Sequence, residues 1–130
     1  MILVDTSAWT EFLRDTGSET HLRVRSLLVD EEPIATTEVV IMEILAGARG
    51  AEHLRELRRL FLRCDLLPLT GLADYEAAAE LYRTCRRNGE TVRALTDCLI
   101  AVPAIRAGVR VLHADRDFDA IARHSALRIA

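Results

Sequence analysis

The chain has 130 residues, of which half are hydrophobic and 28% are charged, and its formal charge is −3. This length predicts one domain, residues 1–130, that buries a core without disulfides or structural metals. The slight acidity argues against binding of nucleic acid by charge alone. No apolar run approaches the ~18 residues of a membrane-spanning helix. No basic region precedes the apolar start, so we expect a cytoplasmic protein with no signal peptide and no membrane partner.

Short apolar runs alternate with longer amphipathic stretches along the whole chain. Strands are predicted at 2–4, 34–36, 65–69 and 109–113, with a short edge strand at 127–129. Helices are predicted at 7–15, 18–28, 38–48, 51–63, 72–88 and 115–124, with another from Thr91 or Thr96 to Gly108. Pro103 lies inside that helix and predicts a kink, because proline removes a hydrogen bond and clashes with the preceding turn. The alternation predicts a three-layer α/β/α sandwich with a mainly parallel sheet.

Several single residues have ordinary structural interpretations. The cysteines are odd in number and lack metal-ligand spacing, which predicts buried free thiols at Cys64, Cys85 and Cys98. Trp9 has helical spacing with Leu13 and is predicted to lie in the core. A histidine at a strand end is expected to be a hydrogen-bonded structural residue, as for His113. The other histidines fall on charged helices and are predicted at the surface: His21, His53 and His124.

Asp5 follows the apolar run Ile2-Leu3-Val4, which is typical of a strand buried on both faces of a parallel sheet. Ligands of open α/β sheets bind at the carboxyl ends of the strands, so a functional acid is expected at this position. Thr6 and Ser7 follow at once and begin a helix. The alternative is that Asp5 only caps this helix.

Glu43 is anomalous in a helix whose neighbouring residues are apolar, Ile41-Met42 on one side and Ile44-Leu45 on the other. A buried, unpaired glutamate would cost several kcal/mol or take up a proton. Glu43 therefore lies either at the exposed edge of the helix or facing a cation.

All 17 basic residues are arginines. Arginine binds phosphate through two parallel hydrogen bonds, although an arginine-only chain is also consistent with genomic base composition. Arg83, Arg86 and Arg87 end the long fifth helix, and Arg93 follows just beyond the turn. Cations at a helix C-terminus favour the helix dipole, and phosphate contact is the alternative interpretation.

Four acids lie at strand ends or on helices that an α/β sheet brings to those ends: Asp5, Glu43, Asp97 and Asp115, with Asp117 two residues further on. Converging carboxylates repel one another unless a cation intervenes. A site made only of oxygen ligands suits Mg²⁺ or Mn²⁺, whereas zinc prefers histidine or cysteine. Such ions lower the pKa of bound water and stabilise an in-line phosphoryl displacement. The pattern therefore predicts metal-assisted cleavage of a phosphodiester.

Four segments in register resemble PIN-domain proteins, and more narrowly the VapC toxins of bacterial toxin–antitoxin pairs. They are Val4-Asp5-Thr6-Ser7-Ala8-Trp9, Met42-Glu43-Ile44-Leu45-Ala46-Gly47, Thr91-Val92-Arg93 with Asp97-Cys98-Leu99-Ile100-Ala101, and Leu112-His113-Ala114-Asp115-Arg116-Asp117-Phe118. Each motif is weak alone, but the resemblance covers essentially the whole chain in order. Pro103 departs from the family pattern.

The resemblance implies a Mg²⁺-dependent endoribonuclease, with Mn²⁺ as a substitute and transfer RNA as a common family target. It implies a homodimer that a small VapB-type antitoxin inhibits by placing its C-terminal tail in the active-site groove, in a heterotetramer or larger assembly. The acidic quartet carries over to Asp5, Glu43, Asp97 and Asp115, with Asp117 as an auxiliary metal ligand and with support from the hydroxyls of Thr6 or Ser7.

The sequence also suggests roles within that site. Asp5, Asp97 and Asp115 are expected to hold one or two Mg²⁺ ions, while Glu43 orients or deprotonates the attacking water. The arginines expected to contact the RNA phosphate are Arg93, Arg86 and Arg87.

Other classes of protein fit less well. Receiver-type phosphoacceptor domains use a lysine beside the phosphorylated aspartate, and this chain has none. Haloacid-dehalogenase-like phosphatases need Asp-x-Asp after the first strand, where this chain has Asp5-Thr6-Ser7. A PIN-like scaffold that binds RNA or protein without turnover is the remaining alternative, and the loss of one acid would favour it.

Overall fold

The computed structural model describes residues 1–130, with strands and helices in the order expected from the sequence. The strands are β1 (Ile2–Val4), β2 (Ile34–Thr36), β3 (Asp65–Leu66) and β4 (Arg110–Leu112). The helices are α1 (Thr6–Leu13), α2 (Glu19–Val29), α3 (Glu38–Ala46), α4 (Ala51–Leu62), α5 (Leu72–Arg87), α6 (Leu95–Ala107) and α7 (Arg116–Arg123).

The sheet is fully parallel, in the order β3-β2-β1-β4. The central strand β1 aligns Val4 with Leu112 of β4, so the carboxyl ends of these two strands lie side by side. Helices α1 to α4 pack as one group, α5 to α7 pack as another, and α3 also contacts α6. The predicted α/β/α fold with a parallel sheet is confirmed.

Polar caps explain where several helices begin. The side chains of Asp5, Ser18, Thr37 and Asp115 each accept a backbone N–H in the first turn of the helix that follows. Gly108 ends α6 in the left-handed conformation, with φ of 65°, which glycine adopts without a steric penalty.

The core lies between the sheet and the helices. Trp9 is fully buried and packs edge-on against Phe12 and Phe61, which confirms its predicted place in the core. All three cysteines are free thiols, as predicted, and Cys85 and Cys98 are buried, but Cys64 is only half-buried. Burial raises the pKa of Cys64 to about 11 and that of Cys98 to about 12, so both stay protonated at neutral pH.

Three strand predictions were too long, and the strand predicted at 109–113 spans only Arg110–Leu112. Strand β3 ends at Leu66, after which the Leu67 N–H donates to the Thr36 carbonyl at 2.8 Å. Pro68 then has no N–H with which to continue the ladder. The final edge strand is reduced to a single bridge between Val111 and Ile129.

Helix α6 begins at Leu95, so the alternative start at Thr91 is wrong. The reason is that the N–H groups of Arg93 and Ala94 donate to the Asp117 carboxylate, which holds this segment outside the helix. The helix runs through the buried Pro103 as far as Ala107. The kink expected at Pro103 stays a prediction.

The surface position predicted for His21 is wrong. His21 is buried because its Nδ1 accepts the Gly17 N–H at 2.8 Å and its ring packs edge-on against Phe12. His53 and His124 are half-buried. None of the seven helices combines the length and the apolar character that crossing a bilayer requires.

Candidate active site

Asp5 lies at the carboxyl end of β1 and is 1% exposed. Its Oδ2 accepts hydrogen bonds from the Ser7 backbone N–H at 2.9 Å and from the Ser7 hydroxyl at 2.6 Å. Its Oδ1 is buried and has no hydrogen-bond partner. Asp5 therefore caps α1 with one oxygen and leaves the other available, so the two interpretations of this residue are compatible.

Ser7 joins the two strand ends that form the site. Its hydroxyl donates to Asp5 and accepts the Ala114 N–H at 2.9 Å. Because β1 and β4 are neighbours, this bond ties the turn after β1 to the loop after β4. The supporting hydroxyl expected from the sequence therefore has a geometric basis at Ser7.

Three further carboxylates converge beside Asp5. Asp97 lies in the first turn of α6, Asp115 caps α7, and Asp117 lies in the first turn of α7. One oxygen from each lies within 4.8 Å of the others. The fold thus brings these three acids together, although Asp97 and Asp117 are twenty residues apart in the sequence.

Asp97 has the most strongly shifted pKa in the cluster. It is 7% exposed, and its Oδ2 is buried without a partner. Burial, the charge of Asp5 and the proximity of Asp117 and Asp115 raise the pKa of Asp97 to about 9. Burial, together with the charge of Glu43, also raises the pKa of Asp5 despite its hydrogen bonds to Ser7.

Asp117 is stabilised as a carboxylate. Its side chain is 3% exposed, and burial opposes its charge, but it accepts the backbone N–H groups of Arg93 and Ala94 at 3.0–3.1 Å. These bonds lower its pKa. Asp117 is therefore an integral member of the cluster. The two amides could not be recognised from the sequence, in which the only hint is that Ala94 offers α6 no capping side chain.

Arg93 is the cation that lies on this cluster. Its Nη2 donates to Asp115 Oδ1 at 3.1 Å, and its Nε lies 3.7 Å from Asp117 Oδ1. The Arg93 side chain is 59% exposed. It is therefore accessible from solvent while it partly neutralises the acids.

Glu43 lies on the Asp5 side of the site. It is half-buried, and its Oε1 accepts the Thr6 hydroxyl at 2.8 Å. Its charge acts on Asp5, and it lies outside the group of three converging carboxylates. The anomalous glutamate thus points from α3 toward the residues that follow β1.

Two arginines expected to contact RNA are directed elsewhere. Arg87 bonds Glu80 at 3.2 Å along the surface of α5. Arg86 lies over the Tyr82 ring, 5.6 Å from its centroid. Neither forms a hydrogen bond or an ion pair with the acids. Of the three expected arginines, only Arg93 is brought to the cluster.

His113 supports the loop after β4, as a strand-end histidine was expected to do. Its Nδ1 accepts the Asp115 N–H at 3.1 Å, and its Nε2 lies 3.2 Å from Asp119 Oδ1. Through these contacts the imidazole orients the backbone that carries Asp115.

The donor set fits a divalent cation. Every potential ligand is a carboxylate oxygen, the type of donor that Mg²⁺ and Mn²⁺ prefer. Asp5 Oδ1 and Asp97 Oδ2 are buried with unused bonding capacity. Burial and repulsion from the neighbouring carboxylates raise the pKa of Asp97, and a bound cation would remove that repulsion. The four aspartates are the residues that would hold it: Asp5, Asp97, Asp115 and Asp117.

Comparison with known proteins defines the class. The family model for the PIN domain matches residues 2–124, and the chain belongs to that family. Within the family it is of the VapC type, a class of ribonuclease. Over its full length it is 49% identical to ribonuclease VapC11 of Mycobacterium tuberculosis, of which it covers 98%.

Several solved structures share the fold. VapBC2 from Rickettsia felis, crystallised with a DNA fragment from its promoter, gives a TM-score of 0.71 at 18% identity, with 100% of this chain and 98% of that chain covered. VapC20 of M. tuberculosis, described as a toxin that cleaves the sarcin–ricin loop, gives 0.66 at 21% identity, with 98% and 99% covered. The resemblance inferred from the four sequence segments is confirmed.

Proposed function

We propose that this chain, acting as a single PIN domain over residues 1–130, is a Mg²⁺-dependent endoribonuclease and the toxin of a type II toxin–antitoxin system. Its relatives are VapC ribonucleases. The observation that carries the metal dependence is the pair of buried, unpartnered oxygens on Asp5 and Asp97, beside Asp115 and Asp117. Mn²⁺ is the expected substitute, since it accepts the same oxygen donors.

The chain's own residues have separable tasks in phosphodiester hydrolysis. When bound, Mg²⁺ would lower the pKa of a water molecule and neutralise charge on phosphate oxygens. Asp5, Asp97, Asp115 and Asp117 would hold it. Glu43, oriented by the Thr6 hydroxyl, accepts the proton of the attacking water.

Arg93 completes the site on the substrate side. Because its guanidinium is exposed and joined to Asp115 by one hydrogen bond, it can turn to the scissile phosphate and stabilise the charge that develops there. The expected products carry 5′-phosphate and 3′-hydroxyl ends. Arg86 and Arg87 are secondary candidates for contacts further along the RNA.

The proposed partners follow from the class. A VapB-type antitoxin is expected to neutralise the enzyme, and the R. felis relative was crystallised as a VapBC complex. We propose a homodimer and, with the antitoxin, a heterotetramer or larger assembly. Transfer RNA is the proposed substrate, and the sarcin–ricin loop named for VapC20 is the first alternative to test.

The test is cleavage of end-labelled transfer RNA by purified protein in Mg²⁺ and in EDTA. Wild type should cleave only with the metal. Asp5→Asn and Asp97→Asn should lower the rate by at least about 10²-fold, since each removes a charge from the metal site. Glu76→Gln is the control, because Glu76 is exposed and has no bonding partner.

Full cleavage by Asp5→Asn, or undiminished cleavage in EDTA, would refute the metal mechanism. Sarcin–ricin loop RNA runs in parallel with transfer RNA and identifies the substrate. A wild-type protein that binds RNA tightly but never cleaves it would favour the alternative, a PIN scaffold that acts as a binding module.

A further inference from the structure

An open groove of about 280 Å³ lies between α1, α3 and α4, beside Glu43. Thr6 and Glu43 line it. Arg14, Arg49 and His53 also line it. The groove therefore places Glu43 in the same cavity as a group of cationic and polar side chains that the proposed mechanism does not use.

The two arginines of this groove are unpaired. Arg14 and Arg49 are exposed, and neither guanidinium forms a hydrogen bond or an ion pair. By contrast, Arg87, Arg106 and Arg123 are each bonded to a carboxylate. An unpaired guanidinium beside an acidic site is free to bind a negatively charged ligand without first breaking an ion pair.

A hydrogen bond within the groove determines which ring nitrogen of His53 carries the proton. Its Nδ1 accepts the Arg49 N–H at 2.9 Å, so in the neutral ring the proton lies on Nε2. The imidazole therefore offers an N–H donor beside the two guanidinium groups. Donors grouped in this way are suited to phosphate oxygens.

The lining also indicates which part of a nucleic acid the groove binds. It contains no phenylalanine, tyrosine or tryptophan on which a base would stack. Contacts from arginine to phosphate position the strand and carry no sequence information directly. The groove is thus suited to the backbone of a single strand rather than to its bases.

We propose that Arg14, Arg49 and His53 form a subsite for the RNA phosphates that flank the cleaved bond on the Glu43 side of the site. This inference rests on the proposed ribonuclease function and extends it. The subsite contributes affinity for any RNA sequence, while the choice of cleavage sequence comes from contacts elsewhere.

The experiment measures RNA affinity as a function of salt. Wild type and Arg14→Ala/Arg49→Ala bind a fluorescein-labelled, randomised single-stranded RNA of 20 nucleotides, in EDTA so that no cleavage follows. For single-stranded nucleic acid, the slope of log K against log salt falls by about 0.7 for each phosphate that the protein no longer neutralises. The double variant should therefore show a slope that is smaller by about 1.4, twice that value, and an affinity at low salt that is weaker by about tenfold or more.

Arg23→Ala/Arg25→Ala is the matched control. It removes the same two charges from exposed arginines of α2 that have no bonding partner and do not line the groove. It should keep the wild-type slope. Arg14→Lys/Arg49→Lys should retain most of the slope, because lysine preserves the charge.

Equal slopes for the groove variant and the matched control would overturn the subsite, and so would failure of the wild type to bind RNA. A cleavage assay of wild type on transfer RNA separates this outcome from failure of the proposed function. If wild type cleaves but the groove variant binds like the control, only the subsite is wrong. If wild type binds RNA with a slope that depends on the groove arginines but does not cleave it, the groove binds RNA phosphates and the proposed nuclease function is wrong.

Discussion

The Ala114 N–H donates to the Ser7 hydroxyl at 2.9 Å, although the two residues are 107 positions apart in the chain. The same hydroxyl donates to Asp5 Oδ2 at 2.6 Å. One small side chain thus holds the strand ends together and fixes the carboxylate rotamer that leaves Asp5 Oδ1 unpartnered. The position of the first acid therefore depends on a residue that is not itself a candidate metal ligand.

Replacement of Ser7 by alanine should weaken the site more than the fold. The change leaves the Ala114 N–H without its partner, which costs about 1–3 kcal/mol where the group is buried and less where it reaches water. Loss of a partner that orients a metal ligand typically lowers metal affinity by about 10–100-fold. Titration calorimetry with Mn²⁺ measures the loss of metal affinity, and urea unfolding measures the loss of stability.

Ser26→Ala is the control for Ser7→Ala, since the exposed Ser26 hydroxyl has only one bond, to Asp30. It should leave Mn²⁺ affinity unchanged. Wild-type affinity in Ser7→Ala would mean that Asp5 is oriented without the hydroxyl.

Removal of the Arg93 side chain should separate metal binding from RNA cleavage. Arg93→Ala takes a cation away from Asp115 and Asp117, so Mn²⁺ affinity should rise a few-fold. The rate of RNA cleavage should nevertheless fall by about 10²-fold, as is typical when a donor to developing charge is removed. The backbone bonds to Asp117 are unaffected by this substitution.

Arg83→Ala is the comparison for Arg93→Ala, because Arg83 is bonded to Glu80 rather than to the acids. It should retain wild-type Mn²⁺ affinity and a cleavage rate within about threefold, a change of less than 1 kcal/mol. A parallel loss of metal affinity and activity in Arg93→Ala would show that Arg93 supports the acids instead of contacting the substrate.

The amino-acid sequence was sufficient to predict the parallel sheet and the family resemblance carried by four segments, because both depend on short local patterns. Asp5 follows a strand of three apolar residues, and Glu43 interrupts an apolar helix face. The integral role of Asp117 was less evident, because it depends on backbone amides at Arg93 and Ala94, more than twenty residues away.

The groove beyond Glu43 could not be predicted for a related reason. Arg14 ends α1, while Arg49 and His53 lie at the turn into α4, so only the packing of α1, α3 and α4 brings them together. Likewise, His21 lies in a helix with a charged sequence, which did not indicate that contacts with Gly17 and Phe12 would bury it. Hydrogen bonds and contacts between elements decide such positions, and a hydrophobic pattern does not report them.

The metal-free protein should lose stability as pH rises. The pKa of Asp97 is about 9 in the folded chain and 3.8 as its ordinary value. At a pH between these two values, Asp97 has lost its proton in the unfolded chain but keeps it in the folded chain. Rising pH therefore favours unfolding by up to about 1.4 kcal/mol per pH unit. Below pH 4 Asp97 is protonated in both the folded and the unfolded chain, so none of this stability is lost.

Urea unfolding in EDTA from pH 5 to pH 8 measures this dependence. Asp97→Asn should flatten it and should be more stable than wild type at pH 8, since the amide never loses a proton. Mg²⁺ should stabilise wild type more at pH 8 than at pH 6, because binding displaces the proton from Asp97. A wild-type stability that is level from pH 5 to pH 8 in EDTA would contradict the raised pKa.

The bond between Thr6 and Glu43 allows the proton acceptor to be tested apart from the metal ligands. Glu43→Gln should lower kcat by about 10²–10⁴-fold, the usual contribution of a general base. Thr6→Val removes only the hydroxyl that orients Glu43 at 2.8 Å, so its effect on kcat should be smaller, about tenfold. Mn²⁺ affinity should change little in Thr6→Val, since the four aspartates remain.

Thr20→Val is the control for Thr6→Val, because the Thr20 hydroxyl on α2 has no hydrogen-bond partner. The double variant Thr6→Val/Glu43→Gln distinguishes the two roles. If Thr6 acts through Glu43, its removal should cost nothing further once Glu43 is glutamine, because the residues form one unit. Additive effects on kcat would place the Thr6 hydroxyl in direct contact with the substrate or with the attacking water.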